Sequence, residues 1–174
     1  MHLPLRSCVV RSWTPEDAES VQRYANNRNI WLNLRDLFPH PYGLEDARGF
    51  LKQVMREKPE TTVAIATPAE AIGCIGLRLG TDVHRKTAEL GFWLGEPFWG
   101  RGIMSETVAA FTRHAFDSFG LIRIYAEAFA NNRASARVLE KAGFVCEGRL
   151  RLNVVKDGKV LDSFLYASVR ERSQ

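Results

Sequence analysis

Apolar positions along this chain repeat with two periods: every second residue in short runs, and every third or fourth in longer ones. Cys8-Val9-Val10-Arg11-Ser12-Trp13 predicts a first strand. Thr14 as N-cap, Pro15 at the first helical position and Glu16 and Asp17 in the first turn predict a helix running to about Tyr24. The periodicity then lapses from Asn26 to Gly43, where Pro39 and Pro41 block a continuous helix and predict an irregular loop long enough to be functional. Leu44 to Glu57 predicts a second helix with Ala47, Phe50, Leu51 and Val54 on one face. Thr62 to Thr67 and Ile72 to Leu79 predict strands around a Pro68-Ala69-Glu70 turn, and Ala88 to Leu94 another. A helix from about Gly102 to Phe119 carries an inward stripe of Val108, Phe111, Ala115 and Phe119. After a strand from Ile122 to Phe129, Asn132 caps a short helix that stops at Gly143. Val145 to Val155 and Val160 to Val169 form a last pair of strands joined at Lys156-Asp157-Gly158-Lys159, a hairpin signal. The elements add up to an α+β fold: a mixed, mostly antiparallel sheet of about seven strands with helices on both faces, and no internal repeat.

With 174 residues, 45% of them hydrophobic and 25% charged, the chain is expected to form one domain over 1–174. No apolar run is long enough to cross a membrane and no charged-then-apolar leader precedes the first strand, which predicts a cytoplasmic protein without a membrane partner. The net charge of +4 is mild and its lysines and arginines are scattered, so a small anionic ligand suits it as well as a nucleic acid, for which no base-reading motif exists. Cys8, Cys74 and Cys146 are odd in number and far apart in apolar, strand-like contexts, which predicts buried free thiols. His2, His40, His84 and His114 have no ligand spacing with them, so no metal is expected.

The most informative stretch is Pro97-Phe98-Trp99-Gly100-Arg101-Gly102-Ile103-Met104-Ser105-Glu106, which joins a strand to a helix through two glycines and an arginine. Glycines let backbone approach a ligand, and a first helical turn offers unpaired N–H groups at the positive end of the dipole, so a pyrophosphate would sit well there. A nucleotide triphosphatase or a dehydrogenase is not indicated, since neither a Gly-x-x-x-x-Gly-Lys-Ser/Thr run nor a third glycine is present. Taken alone, Gly100 and Gly102 are equally well explained by a tight strand-to-helix turn.

Two segments in register decide between these readings. Glu89-Leu90-Gly91-Phe92-Trp93-Leu94 leading into Trp99-Gly100-Arg101-Gly102-Ile103-Met104-Ser105-Glu106, and Asn131-Asn132-Arg133-Ala134-Ser135-Ala136-Arg137-Val138-Leu139-Glu140-Lys141-Ala142-Gly143-Phe144, together resemble the GNAT superfamily of acetyl-CoA-dependent N-acetyltransferases, and within it the RimJ/RimL branch. The resemblance is good over about Thr87 to Ala167 and loose before that. It implies a GNAT fold in which the backbone of Gly100, Arg101, Gly102, Ile103, Met104 and Ser105 holds the CoA pyrophosphate. It implies that Phe92, Trp93 and Leu94, on a strand that splays from its neighbour, pair with the pantetheine arm, and that an amide there faces the thioester oxygen as it gains charge. Asn132 and Ser135 fall at family positions beside the pantetheine and the sulfur. Trp99 stands where the superfamily usually has Gln or Arg, and Met104 where it has Gly or Ala.

The resemblance also distributes catalytic roles. The tyrosine that many members place four residues after this serine, as proton donor to the thiolate, is Leu139 here, which leaves Ser135 as candidate acid. Glu89 is the best-placed carboxylate to take a proton from the amine. An α-amino group with pKa about 8 is about one-tenth neutral at pH 7, a lysine with pKa about 10.4 less than about one-thousandth, so an N-terminal amine needs less help. Arg35, Asp36, His40 and Tyr42 lie in the loop where the family builds its acceptor site.

The chain is thus expected to transfer acetyl from acetyl-CoA to a primary amine, foremost the N-terminal amine of a ribosomal or other protein, without a covalent intermediate or a metal. Its rivals are a small-amine acetyltransferase acting on a polyamine, an aminoglycoside or an aminoacyl nucleotide, and a non-catalytic acyl-CoA-binding regulatory module. A monomer and a homodimer, the latter through an exposed C-terminal strand edge, both fit the sequence.

Overall fold

In the computed structural model, which describes residues 1–170, the two periods separate as the pattern requires, into strands β1 (His2–Pro4), β2 (Val9–Arg11), β3 (Thr62–Ala66), β4 (Ala71–Leu79), β5 (Thr87–Leu94), β6 (Arg123–Phe129), β7 (Val145–Lys156) and β8 (Lys159–Val169), and helices α1 (Ala18–Ala25), α2 (Arg28–Trp31), α3 (Leu44–Val54), α4 (Ile103–Ser118) and α5 (Arg133–Lys141). The strands form one sheet in the order β1-β2-β3-β4-β5-β6-β8-β7. Every strand pair described residue by residue is antiparallel except β5 with β6, which run parallel.

The count is eight strands where the pattern predicted about seven. The extra one is β1, only three residues long and ending in Pro4, which pairs with β2. Pro is tolerated at such a sheet edge because the missing N–H is not needed there.

The chain divides into two compact units, Met1–Gly76 with Phe92–Met104, and Leu77–Gly91 with the chain from Ser105 onward. In the first, α1 and α3 present Val21, Ala25, Ala47, Leu51 and Val54 to a core that includes Trp13, Ala64, Ala71 and Cys74, with Phe50 at its margin edge-on to Trp13. The predicted helix start at Thr14 is a single 3-10 turn, Pro15–Asp17, before α1. Asp17 fastens it, accepting from the Thr14 N–H at 2.9 Å and bidentately from Arg11 at 2.7 and 2.8 Å. The stretch 26–43 is not wholly irregular: Asn27 caps the one-turn helix α2, its Oδ1 accepting from the N–H groups of Asn29 and Ile30. A side chain that satisfies two orphan donors lets one turn form where propensity alone would not.

In the second unit the alternation in β6 buries Ile124, Ala126 and Ala128, and α4 buries Val108, Phe111 and Ala115. Asp157 and Gly158 take positive φ of 51° and 73° at the tip of β7 and β8, the two-residue hairpin geometry that matches strand twist. Cys8 and Cys74 are buried free thiols, as expected, and burial pushes Cys74 up to about 12. Cys146 is exposed, against expectation. It lies on β7, the last strand of the sheet, most of whose residues are exposed, the apolar Val145, Leu150, Leu152 and Val155 among them.

Candidate active site

The turn before α4 is built by its own residues. Trp99 closes it, donating its indole N–H to the Leu94 carbonyl at 2.7 Å, which gives a local reason for an indole at this position. Gly100 and Gly102 have φ of +74° and +79°, a conformation side chains strain to adopt, and a Cβ on either would meet no atom within 4 Å. The glycines therefore serve the backbone shape and leave open space over it, as a cradle for an anionic group requires. The guanidinium of Arg101 lies 5.8 Å from the Phe98 ring centroid, over its face. Ile103 and Met104 are buried, so Met104 turns its side chain inward and presents only backbone to the turn. Ser105 and Glu106 continue α4. This backbone fits a pyrophosphate, and residues 100 to 105 are the ones that would hold it.

In the strand before the turn, Leu94 is buried while Phe92 and Trp93 are half-buried. Trp93 packs edge-on against Phe38 of the 26–43 loop, with centroids 6.1 Å apart, and Phe38 tilts against Tyr42 at 4.9 Å. Phe92 and Trp93 thus have packing partners or partial burial besides any ligand role.

The loop itself is stiffened from several directions. Asn26 Oδ1 accepts the Tyr42 N–H at 3.0 Å, Trp31 stacks on His40 at 5.7 Å, and the Arg28 guanidinium lies over Trp31 at 5.4 Å. Arg35, Asp36 and His40 are exposed, and between them Leu37 is 92% exposed. Tyr42 departs from the expectation that it faces an acceptor. It is 4% exposed within the core cluster, and burial, with Asp46 and Cys74 nearby, raises its phenol far above the usual range. It anchors the loop from inside, because its flanking Pro41 and Gly43 are exposed while the ring supplies the apolar contact.

Within the second unit, Asn132 plays two parts at the start of α5. Its Oδ1 accepts the Ser135 N–H at 3.1 Å, and its Nδ2 donates to Ser135 Oγ at 2.8 Å. The hydroxyl offered as proton donor is thereby held in place by the helix cap. Leu139 is fully buried and belongs to the core. Glu89 sits on β5, its side chain 16% exposed, 3.7 Å from the Arg78 guanidinium. The parallel ladder of β5 with β6 pairs Thr87, Ala88 and Glu89 with Arg123, Ile124 and Tyr125, so Glu89 stands at its last rung.

Three residues that sequence reasoning passed over meet through their side chains: Glu127 of β6, Asn153 of β7 and Ser163 of β8. Glu127 lies two residues beyond Tyr125, hence on the same face of the strand, and receives hydrogen bonds from Ser163 Oγ and Asn153 Nδ2. A signal existed for Glu127: it is an acid in an otherwise apolar alternation, on the side opposite Ile124, Ala126 and Ala128. No pattern pointed to Asn153 or Ser163. No group of three or more His, Cys, Asp or Glu side chains arranged to hold a metal occurs among the described residues, and none of the helices described is long and apolar enough to cross a membrane.

Residues 8–145 match the family model of the acetyltransferase (GNAT) domain. The N-acetyltransferase YoaA of Bacillus subtilis (strain 168) is 37% identical, over 94% of this chain and 94% of its own. The ribosomal-protein-serine acetyltransferase of Escherichia coli (strain K12) is 31% identical over 70% of this chain and 63% of its own. Among solved structures, RimL, a ribosomal-protein alpha-N-acetyltransferase in complex with coenzyme A, superposes with a TM-score of 0.85 over 97% of this chain and 98% of that one, at 20% identity. A glycine turn shaped for an anion, the matching fold and a relative this similar along nearly its whole length lead to one conclusion: this chain belongs to the GNAT acetyltransferase family and is an N-acetyltransferase.

Proposed function

We propose that the chain, working over 1–174 as one catalytic domain in the cytoplasm, transfers acetyl from acetyl-CoA to the N-terminal α-amine of a protein or peptide. The observation that carries the cosubstrate is the pair of open, left-handed glycines at the start of α4. The backbone of Gly100 to Ser105 holds the pyrophosphate, and Phe92, Trp93 and Leu94 line the pantetheine arm.

The amine nitrogen attacks the thioester carbonyl carbon, the C–S bond breaks, and the CoA thiolate departs with a proton offered by Ser135, whose hydroxyl Asn132 orients. Glu89 receives the proton the amine gives up, through water. A donor facing the thioester oxygen stabilises the charge that develops there and is worth about a hundredfold in rate. The acceptor lies against the 26–43 loop, where Asp36 faces an ammonium and Arg35 or His40 a carboxylate. With Arg28 and Arg35 against the single carboxylate of Asp36, this loop suits a peptide better than a polyamine. The similarity to a ribosomal-protein acetyltransferase supports the same class of acceptor.

The test is free-thiol release from acetyl-CoA against a panel of N-terminal peptides, polyamines and aminoglycosides, with calorimetric CoA binding alongside. Turnover fastest on a peptide supports the reading. Turnover confined to a small amine overturns the acceptor class, and absence of CoA binding overturns the assignment of the turn.

A further inference from the structure

Helix α3 carries two adjacent rows of side chains. Arg48, Lys52 and Arg56, four residues apart, form a column of cations that runs just past the helix end, and Leu51 and Met55 form an apolar row beside it. With Pro15 of the 3-10 turn, these side chains line an open groove of about 510 Å³ that has no carboxylate in its wall. Leu51 is buried at its floor, while Met55 is 47% exposed between Lys52 and Arg56. Glu45 engages Arg48 at 2.6 Å. Among the described residues no carboxylate comes within ion-pairing distance of Lys52 or Arg56. The negative end of a helix attracts cations by itself, which accounts for charge in the last turn. It does not account for an apolar side chain left half in water between two of them, at the mouth of a groove.

Cations above an apolar floor select a ligand that is acidic and apolar at once. A nucleic-acid strand would need a ring on which to stack its bases, and no aromatic residue lines the groove. A bare phosphate would leave Leu51 and Met55 uncovered. A short peptide segment with an apolar residue among acids meets both demands: its carboxylates pair with Lys52 and Arg56, about 6 Å apart along the helix axis, and its apolar side chain covers Met55. Gly43, which ends the 26–43 loop, is the N-cap of α3, and Lys52 lies about 14 Å further along the axis. An extended chain spans that distance in about five residues.

We propose that the α3 groove is a docking site for an acidic segment of the acceptor protein, a few residues behind its N-terminal amine, with Lys52 and Arg56 holding the carboxylates and Met55 the apolar side chain. This rests on the acceptor reading above. Docking at a second point raises the effective concentration of the amine at the loop without touching the chemistry, so it acts on KM and not on kcat.

The experiment uses two pairs of probes. The first pair has no free amine: a peptide blocked at both ends in which a leucine is flanked on each side by two glutamates, and a twin with glutamines in their place. By calorimetry the acidic probe is expected to bind about tenfold more tightly than its twin. Lys52→Glu combined with Arg56→Glu is expected to erase that preference, and Met55→Ser to weaken the acidic probe severalfold. All three positions are exposed, so these variants fold. The second pair is the peptide turned over fastest in the panel, extended from about its sixth residue by the acidic or the neutral segment. The acidic tail is expected to lower KM about tenfold at unchanged kcat, and the double variant to lose that advantage while turning over the tailless peptide as the parent does. Equal binding of the two blocked probes, or a preference that survives the double reversal, overturns the site. A KM indifferent to the tail, with the blocked acidic probe still bound, overturns its link to the acceptor. A single-stranded oligonucleotide that displaces the blocked acidic probe and binds more tightly overturns the occupant. Absence of turnover on every peptide in the panel overturns the acceptor reading instead, and the blocked pair still decides whether the groove takes an acidic segment.

Discussion

The Asn27 side chain donates from Nδ2 to Glu96 Oε2 at 2.6 Å, across 69 residues of sequence, while its Oδ1 caps α2. Asn29 adds a second amide to the same carboxylate, at 3.1 and 3.2 Å from its two oxygens. One carboxylate just ahead of the glycine turn therefore fastens the first turn of the 26–43 loop.

Replacing Glu96 with Ala is expected to speed amide hydrogen exchange across residues 28 to 34 with little change in global stability, since the bond is solvent-exposed. The hydrogen bonds from Asn27, then Asn29, lower the Glu96 carboxyl's pKa. A depressed pKa means the clamp is intact above the ordinary carboxylate range and is lost only as pH falls below it. Protection factors for the loop should therefore stay level from neutral pH down to about 5.

Gly102→Val tests the turn. Forcing a β-branched residue to φ near +79° costs about 1 to 2 kcal/mol. The variant also places a side chain in the open space over the backbone, so CoA affinity should fall tenfold or more by calorimetry. Unchanged affinity would remove the turn from the cosubstrate site.

Two Asn132 variants separate its roles. Asn132→Ala removes the cap and should cost about 1 kcal/mol in denaturant unfolding. Asn132→Asp keeps an oxygen for the Ser135 N–H but loses the donor to Ser135 Oγ, so it should match the parent in stability and turn over more slowly. Full activity in Asn132→Asp would show that the orientation of Ser135 is immaterial.

Asp17 is 5% exposed and bonded to Arg11 at 2.7 Å. Burial opposes its ionisation, but the Arg11 guanidinium and the Thr14 N–H outweigh it and hold the carboxyl below its ordinary pKa. Its contribution is thus present above the ordinary value near 4 and is lost as pH falls through the depressed one. Asp17→Ala should destabilise by about 2 kcal/mol at pH 7, less than a fully buried pair because Arg11 reaches water. Its melting temperature should fall less steeply than the parent's below pH 4.

Much of the fold was legible where a few neighbouring residues decide the outcome. Asn132 and Gly143 bounded α5, the Asp157-Gly158 pair set the β7–β8 hairpin, and the period of Val108, Phe111 and Ala115 set the inner face of α4. Reading failed where a distant partner decided. β1 exists because β2 lies beside it, α2 because Asn27 caps a turn inside a proline-bearing loop, and Cys146 is exposed because its strand ends the sheet.

The sequence by itself determined most of the elements, the place of the glycine turn and the resemblance that pointed to an acetyltransferase, because φ preferences, caps and hydrophobic periods act over at most a few residues. Tertiary structure alone decided that Tyr42 serves the core, that Asn27 and Asn29 meet Glu96, and that Glu127, Asn153 and Ser163 converge. Those groupings depend on strand register and on one bulge, and in a pleated strand a shift of one residue sends every side chain to the opposite face.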